Sequence, residues 1–572
     1  MNQHPSQPNL DFSTTQHSWS FRFWALIVVA GAAAGLVGGV LMRLLHAVEK
    51  LAWTFREGTF LEAVSGVSAI HRVLILCAAG VVVGVSQIGI RKMFRAAGDV
   101  DSAIWFRSGK TPLLATFAQA LQSIVIVGMG ASLGRESAIK QVGGALASQL
   151  AQWSRLSRAE QRVLVACGVG AGMAAAYNVP VGGALFAIEV LLGSISLRLA
   201  LPALLCSAVA TVASWVFLPT GPVYDIPEYR LSVPLVVWSL WAGPLLGLMT
   251  VFLVRAIDWS EAHKPVGNVR VFLLPVVVFL LLGLASTAYP QLLGNGQDVV
   301  QLALTAEFPC SLLLILPLLK ALATTGCLVS GAHGGLFTPT MAIGALLGGL
   351  LGNAWDGIWP GASMGCCSVI GACAFLAGAS LGPISALAIV LELTRRVDAT
   401  MVPMLLAVSG AMFVARRIES RSIYSLRIRP KNPGSEPTPG DRLPNFAHLI
   451  SRDFSAISAA MGYTELLQGL LLSKFTLPLY VVDHEGILLG QIDARSLNLA
   501  SLGPLPLEAA KAADFVDSMR TLNTQMSEHD VRDCFAKVGE AHLPVVDSKN
   551  GRLFGIVHRN TAMTSLPANN DN

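Results

Sequence analysis

The sequence predicts a polytopic, all-α membrane region followed by a smaller soluble α/β region. Three observations carry that prediction. Of 572 residues, 53% are hydrophobic and 13% charged, with a mean hydropathy of +0.59, which lies far from an ordinary soluble composition. Apolar runs of membrane-crossing character recur up to about residue 426, and the pattern then changes beyond a segment rich in Pro, Gly and charge.

The elements follow in order. Residues 1–20 are polar and lack a basic start followed by a small-residue cleavage site, so a tail rather than a cleaved signal is expected. Apolar runs come next, from Phe23 to Leu41, Val73 to Ile88, Val233 to Val254, Val271 to Ala288 and Leu312 to Ala323. Several are short or broken by glycine. With 54 Gly and 29 Pro in this background, interrupted and closely packed helices are expected, as suits a transporter or channel. The membrane region spans 21–427, and residues 428–445 form a linker whose core is Arg429 to Asn445, RPKNPGSEPTPGDRLPN. From residue 446 to 567 short helical and β patterns carry a repeat: LPLYVVDHEGILLGQI (Leu477 to Ile492) against LPVVDSKNGRLFGIV (Leu543 to Val557), with Asp483 and Asp547 64 positions apart. Each copy reads as two strands joined by an Asp/Gly turn. Residues 568–572 are a short tail.

The net charge of +5 is small for this length and its basic residues lie scattered in short loops, so no nucleic-acid partner is expected. Nine cysteines without a CxxC or Cys/His cluster read as small apolar core residues, not as disulfides or metal ligands. No nucleophile, base or metal constellation points to an enzyme, and no cofactor is expected.

The membrane region is internally duplicated. GASLGRESAIKQVGGAL (Gly130 to Leu146) aligns without gaps on GAHGGLFTPTMAIGALL (Gly331 to Leu347), a shift of 201 from 130 to 331. GVGAGMAAAYNVPVGGALFAIEV (Gly168 to Val190) aligns on GACAFLAGASLGPISALAIVLEL (Gly371 to Leu393), placing Pro180 on Pro383 and Glu189 on Glu392, both shifted by 203. Two alignments with nearly one offset indicate repeats over about 21–220 and 230–420, the construction of broken-helix transporters whose sites lie at the repeat interface.

Each first segment reads as a Gly-rich loop feeding a helix N-terminus: Gly130 and Gly134 in one, Gly331, Gly334 and Gly335 in the other. First-turn amides lack intrahelical partners and the helix dipole is positive there, so two such ends can hold an anion without a full cation. Glu136 opens one of these helices in an apolar setting, where a carboxylate is expensive and marks function. It can occupy the anion site when ionised and leave it when protonated; pairing with Arg135 is the structural alternative.

GRESAI resembles the GREGP motif of the ClC anion channel and transporter family, GGLFTP its GxFxP motif, and SIYSL the segment carrying its pore tyrosine. The three occur in the family's order within Phe21 to Leu426, and the likeness is strongest to bacterial ClcB-type chloride channels. The resemblance implies the ClC fold of two inverted repeats of broken, tilted helices and a homodimer with one pore per subunit. It implies conduction of chloride or similar small anions across a bacterial inner membrane. Glu136 takes the place of the gating glutamate; Gly134, Arg135, Gly335, Leu336 and Phe337 belong to the anion loops, the last two as backbone donors; Tyr424 is the hydroxyl donor, or else an interfacial aromatic beside Arg421. The C-terminal repeat resembles a tandem CBS pair, expected in the cytoplasm.

Two departures qualify these expectations. The family's GSGIP segment has no copy in AAGDVDSAIW (Ala96 to Trp105), so neither Ser102 nor Ser108 is assigned as an anion ligand. Where proton-coupled members carry two adjacent glutamates, this chain has Glu189 and then Val190, which cannot carry a proton. A passive channel is therefore expected, with a chloride/proton antiporter on the same scaffold as the alternative and an unrelated transporter of organic substrates as the remote one. In the CBS-like repeat, Asp493 and His558 stand where hydroxyl residues would recognise an adenine nucleotide, and Ser496 and Thr561 where aspartate would. Nucleotide binding there is not expected by the usual route.

Overall fold

In the computed structural model, residues 19–54, 58–94, 111–154, 156–396, 400–419 and 421–428 are described, and 446–562 in discontinuous stretches. The linker 429–445, residues 1–18, the C-terminal tail, Ser102, Ser108, Ser496 and Thr561 lie outside the described residues. The chain divides into two compact units, Asn9–Arg429 and Pro430–Asn572.

The first unit is helical among its described residues. Its helices are α1 (Phe21–Trp53), α2 (Phe60–Gly66), α3 (Ala69–Met93), α4 (Leu113–Gly128), α5 (Glu136–Trp153), α6 (Arg158–Tyr177), α7 (Pro180–Leu185), α8 (Leu197–Ser214), α9 (Val233–Ala262), α10 (Asn268–Ala288), α11 (Gln297–Leu304), α12 (Cys310–Val329), α13 (Phe337–Asp356), α14 (Met364–Ser380), α15 (Pro383–Thr394) and α16 (Met401–Ile418). The five apolar runs all fall inside helices, and among the described residues eight helices are long and apolar enough to cross a membrane. Large apolar side chains such as Phe252, Val277 and Leu281 stand 64%, 50% and 59% exposed, a surface that hydrocarbon rather than water covers. Helix starts follow local chemistry: the Ser20 hydroxyl accepts from the Phe23 N–H, and Thr59 with Glu62 forms a capping box. Shorter apolar helices, α4, α14 and α15 among them, supply the broken elements that the glycines and prolines predict.

The duplication is a feature of the backbone. Helices α5 and α13 start at 136 and 337, again 201 apart, and α7 and α15 start at Pro180 and Pro383. Gly130 and Gly331 both turn the chain through positive φ, +99° and +87°, a conformation that glycine adopts without strain. Close helix contacts repeat as well: a Cβ at Gly143 would stand 2.3 Å from the Gly168 carbonyl oxygen, and one at the equivalent Gly344 2.7 Å from that of Gly371. These glycines let the paired helices touch backbone to backbone. Six of the nine cysteines are buried, as expected of core residues, whereas Cys310 at the start of α12 is exposed.

In the second unit, β2 (Ser455–Ser458), β3 (Leu479–Val482) and β4 (Leu488–Ile492) form one sheet in that order, β2 parallel and β4 antiparallel to β3. The other sheet, in the order β1-β7-β6-β5, joins β1 (Ile450–Ser451), β5 (Leu522–Asn523), β6 (His542–Val546) and β7 (Leu553–His558), with α17 (Glu528–Lys537) between β5 and β6 in sequence. The repeat reappears as topology: β5 is parallel and β7 antiparallel to β6, and both hairpins shift register at matching places, Val481/Val482 and Val545/Val546. Their Asp/Gly turns are also equivalent, with Gly486 and Gly551 at φ +84° and +68°. Leu479 and Val481 fill one small core, and their counterparts Leu543 and Val545 the other.

Candidate anion site

Two Gly-rich loops deliver Glu136 as the first residue of α5 and Phe337 as the first residue of α13. The loops are joined directly. The Gly134 N–H donates to the Gly335 carbonyl at 2.8 Å and the Gly335 N–H to the Gly134 carbonyl at 2.7 Å. A side chain at either position would displace the Glu136 carboxylate, because a Cβ on Gly134 would lie 2.2 Å from Glu136 Oε2 and one on Gly335 1.8 Å from Oε1. The glutamate carboxylate therefore rests over the bridge between the two halves.

Glu136 is fully buried, 0% exposed. Its Oε1 accepts from the Phe337 N–H at 2.9 Å, and its Oε2 from the Tyr177 hydroxyl at 2.9 Å. Tyr177 also contacts Thr338 Oγ1; a phenol has one proton, so while donating to the carboxylate it accepts from the threonine. The Arg135 guanidinium lies over the Tyr177 ring, 5.4 Å from its centroid, adding positive charge beside the hydroxyl that holds the Glu136 carboxylate. A carboxylate thus occupies the first-turn amide of a second helix, where the dipole favours an anion.

One turn along α5 lies a second cluster. Lys140 is 6% exposed, with Nζ 4.9 Å from the Phe186 ring centroid and 4.4 Å from that of Tyr424. The two rings meet edge to face, centroids 5.1 Å apart at 78°. Tyr424 is 7% exposed, a core aromatic and not an interfacial one. Of the residues expected from sequence, Gly134, Arg135, Glu136, Gly335 and Phe337 gather where the two loops meet, and Leu336 is the N-cap residue of α13. Tyr424 belongs to the second cluster. Sequence reading passed over Tyr177, Thr338, Phe186 and Lys140. For Lys140 a signal existed, since the rule that marks a charge in an apolar helix applies to it as to Glu136.

Glu189 lies on a single π-helical turn, Phe186–Leu191, and caps α15: it accepts from the Ile384 N–H at 3.1 Å and the Ser385 N–H at 2.6 Å. Its repeat partner Glu392 caps α7 in return, accepting from Val181 at 3.0 Å and Gly182 at 2.7 Å. This reciprocal pair gives both glutamates a structural task. Among the described residues, no group of three or more His, Cys, Asp or Glu is placed to hold a metal ion.

The family model for voltage gated chloride channels matches residues 95–416, a stretch that contains both Gly-rich loops. The chain belongs to that family. Among curated relatives, a ClcB-like chloride channel protein of Ralstonia nicotianae is 30% identical over 363 residues, covering 62% of this chain and 84% of that one. The voltage-gated ClC-type chloride channel ClcB of Escherichia coli (strain SMS-3-5 / SECEC) is 29% identical over 396 residues, 66% of this chain and 93% of its own. A slow cyanobacterial Cl⁻/H⁺ antiporter shares the fold with a TM-score of 0.63 at 20% identity, covering 72% of this chain and 98% of that structure. A eukaryotic CLC transporter does so at 0.61 and 18%, covering 94% of this chain, so that likeness extends into the second unit. As a voltage-gated chloride channel family member with the ClC fold, the chain is a multi-pass membrane protein of an anion-transporting family.

Proposed function

We propose that this protein is a passive pore for chloride or similar small anions, gated by Glu136. The observation that carries the reading is the Glu136 carboxylate accepting from the Phe337 N–H on the bridged glycines. An ionised carboxylate competes there with a permeant anion for helix-terminal amides; a proton removes its charge and frees them. Val190, buried beside the structurally engaged Glu189, offers no group for an inward proton relay, which supports conduction without proton coupling. The remaining parts of the reading are a homodimer in a bacterial inner membrane, with the second unit a cytoplasmic CBS-type pair.

Flux from chloride-loaded liposomes tests it. Wild-type flux should rise on acidification, Glu136→Gln should conduct persistently with little pH dependence, and Glu136→Asp, with shorter reach, should gate poorly. The reversal potential should follow the chloride gradient alone. Proton uptake at a fixed ratio to chloride, lost in Glu136→Gln, would make the protein an antiporter.

A further inference from the structure

We propose that Tyr177 is the latch of the closed gate: a positioning residue whose hydroxyl, supported from behind by Thr338, holds the Glu136 carboxylate on the anion site against displacement by chloride. This inference rests on the gated-pore reading and adds to it a hydroxyl pair to which the sequence motifs give no role.

The carboxylate is held at both oxygens. Oε1 accepts from the Phe337 N–H at 2.9 Å, the amide for which a permeant anion competes, and Oε2 accepts from the Tyr177 hydroxyl at 2.9 Å. Each hydroxyl has one proton to place. An ionised carboxylate only accepts, so the phenolic proton points at Oε2, and the contact between Tyr177 and Thr338 Oγ1 is made with the threonine proton. Among the described residues the Thr338 hydroxyl has no other hydrogen-bond partner. The chain from Thr338 through Tyr177 to Glu136 therefore runs one way and ends on the charge, an order in which successive hydrogen bonds strengthen one another away from water. Burial is complete: Glu136 and Thr338 are 0% exposed and Tyr177 1%.

The latch also spans the two halves, since Tyr177 is the last residue of α6 in the first repeat and Thr338 the second residue of α13 in the other. Its ring is seated independently of the hydroxyl. The Arg135 guanidinium lies 5.4 Å from the ring centroid, and the Phe337 ring packs on it with centroids 5.4 Å apart at 42°. A phenylalanine would fill the same space; what the tyrosine adds is a buried donor aimed at the gate. Tyr177→Phe thus keeps the packing and removes the latch.

The experiment is a chloride titration by calorimetry on the purified full-length protein at neutral pH, with Tyr177→Phe, Thr338→Val and Thr338→Ser each made in the native and the Glu136→Gln background. The apparent chloride affinity is the intrinsic one reduced by the fraction of sites that the carboxylate leaves open. A hydrogen bond to a charged group corresponds to roughly a ten- to hundredfold change in an equilibrium constant. With the native gate, Tyr177→Phe should bind chloride more tightly by a factor in that range, and Thr338→Val should gain less. Thr338→Ser, which restores a hydroxyl, should lose most of the Val gain. These gains should vanish in Glu136→Gln, whose gate is already released; a tyrosine that only fills the core would produce no gain dependent on the charge at position 136. A monodisperse Tyr177→Phe protein with wild-type or weaker chloride affinity overturns the proposal. So does an equal gain in both backgrounds, because the hydroxyl then acts on the site and not through the gate. Should Tyr177→Phe fail to fold, the same two outcomes in Thr338→Val decide the matter. If Glu136→Gln alone binds chloride no more tightly than wild type, the gate reading fails and the latch with it, a result read before any change at Tyr177.

Discussion

At the residue scale, function follows from which buried polar groups face one another. The sequence marks Glu136 because a carboxylate in an apolar helix is costly, but it does not mark Tyr177, whose hydroxyl holds that carboxylate from 41 positions away in the chain. No local pattern predicts this contact; it exists because α6 ends beside the start of α13. SIYSL points to Tyr424, and its setting explains how to test that role. Its ring packs on Phe186 and under Lys140, so Tyr424→Phe keeps the packing and removes only the hydroxyl. Loss of one hydrogen bond to a charged group costs about 1.5–3 kcal/mol. Chloride affinity of Tyr424→Phe should fall accordingly, with an unchanged melting temperature; unaltered chloride binding by calorimetry would remove Tyr424 from the site.

At the scale of elements, the duplication was readable as offsets of 201 and 203, and the helix starts repeat them. The purpose of the paired glutamates was only half readable. Alignment sets Glu189 against Glu392 and suggests a structural role, yet that each caps the other's helix requires the two halves to be folded against one another. Each carboxylate accepts from two first-turn amides, so the caps tie the halves together twice. Glu189→Ala and Glu392→Ala should each lower stability by about 1–3 kcal/mol, the cost of leaving such donors unpaired. By the symmetry of the arrangement the two losses should be similar, and chloride affinity should not change. Thermal unfolding in detergent measures this. A large loss in one variant and none in the other would mean that the two caps are not equivalent.

At the scale of the whole molecule, composition sets the expected boundary between the units and the 64-residue spacing the second repeat; the repeat reappears in the topology of the two sheets. Whether that unit senses a nucleotide depends on the ends of its last strands. Asp493 follows β4, where its carboxylate would repel phosphates. His558 ends β7 and packs edge to face on His542, ring centroids 5.0 Å apart at 82°. Burial, and then the neighbouring His558, hold the His542 imidazole below the usual histidine range. The His542 imidazole therefore favours the neutral form near pH 7 and offers no fixed cation to a triphosphate. Asp493 and His558 stand at the positions where a hydroxyl would read a ribose. The segment from Phe446 to Asn572 should accordingly fold but bind ATP no tighter than millimolar, about −4 kcal/mol of binding free energy. The lowered His542 carries a second consequence. The unfolded chain binds more protons than the folded one as pH falls below the ordinary histidine value near 6.5, so the melting temperature of this segment should drop between pH 7 and 5.5. His542→Gln should flatten that slope without creating an ATP site. Calorimetry that finds micromolar ATP binding in the segment would overturn the reading of its strand ends.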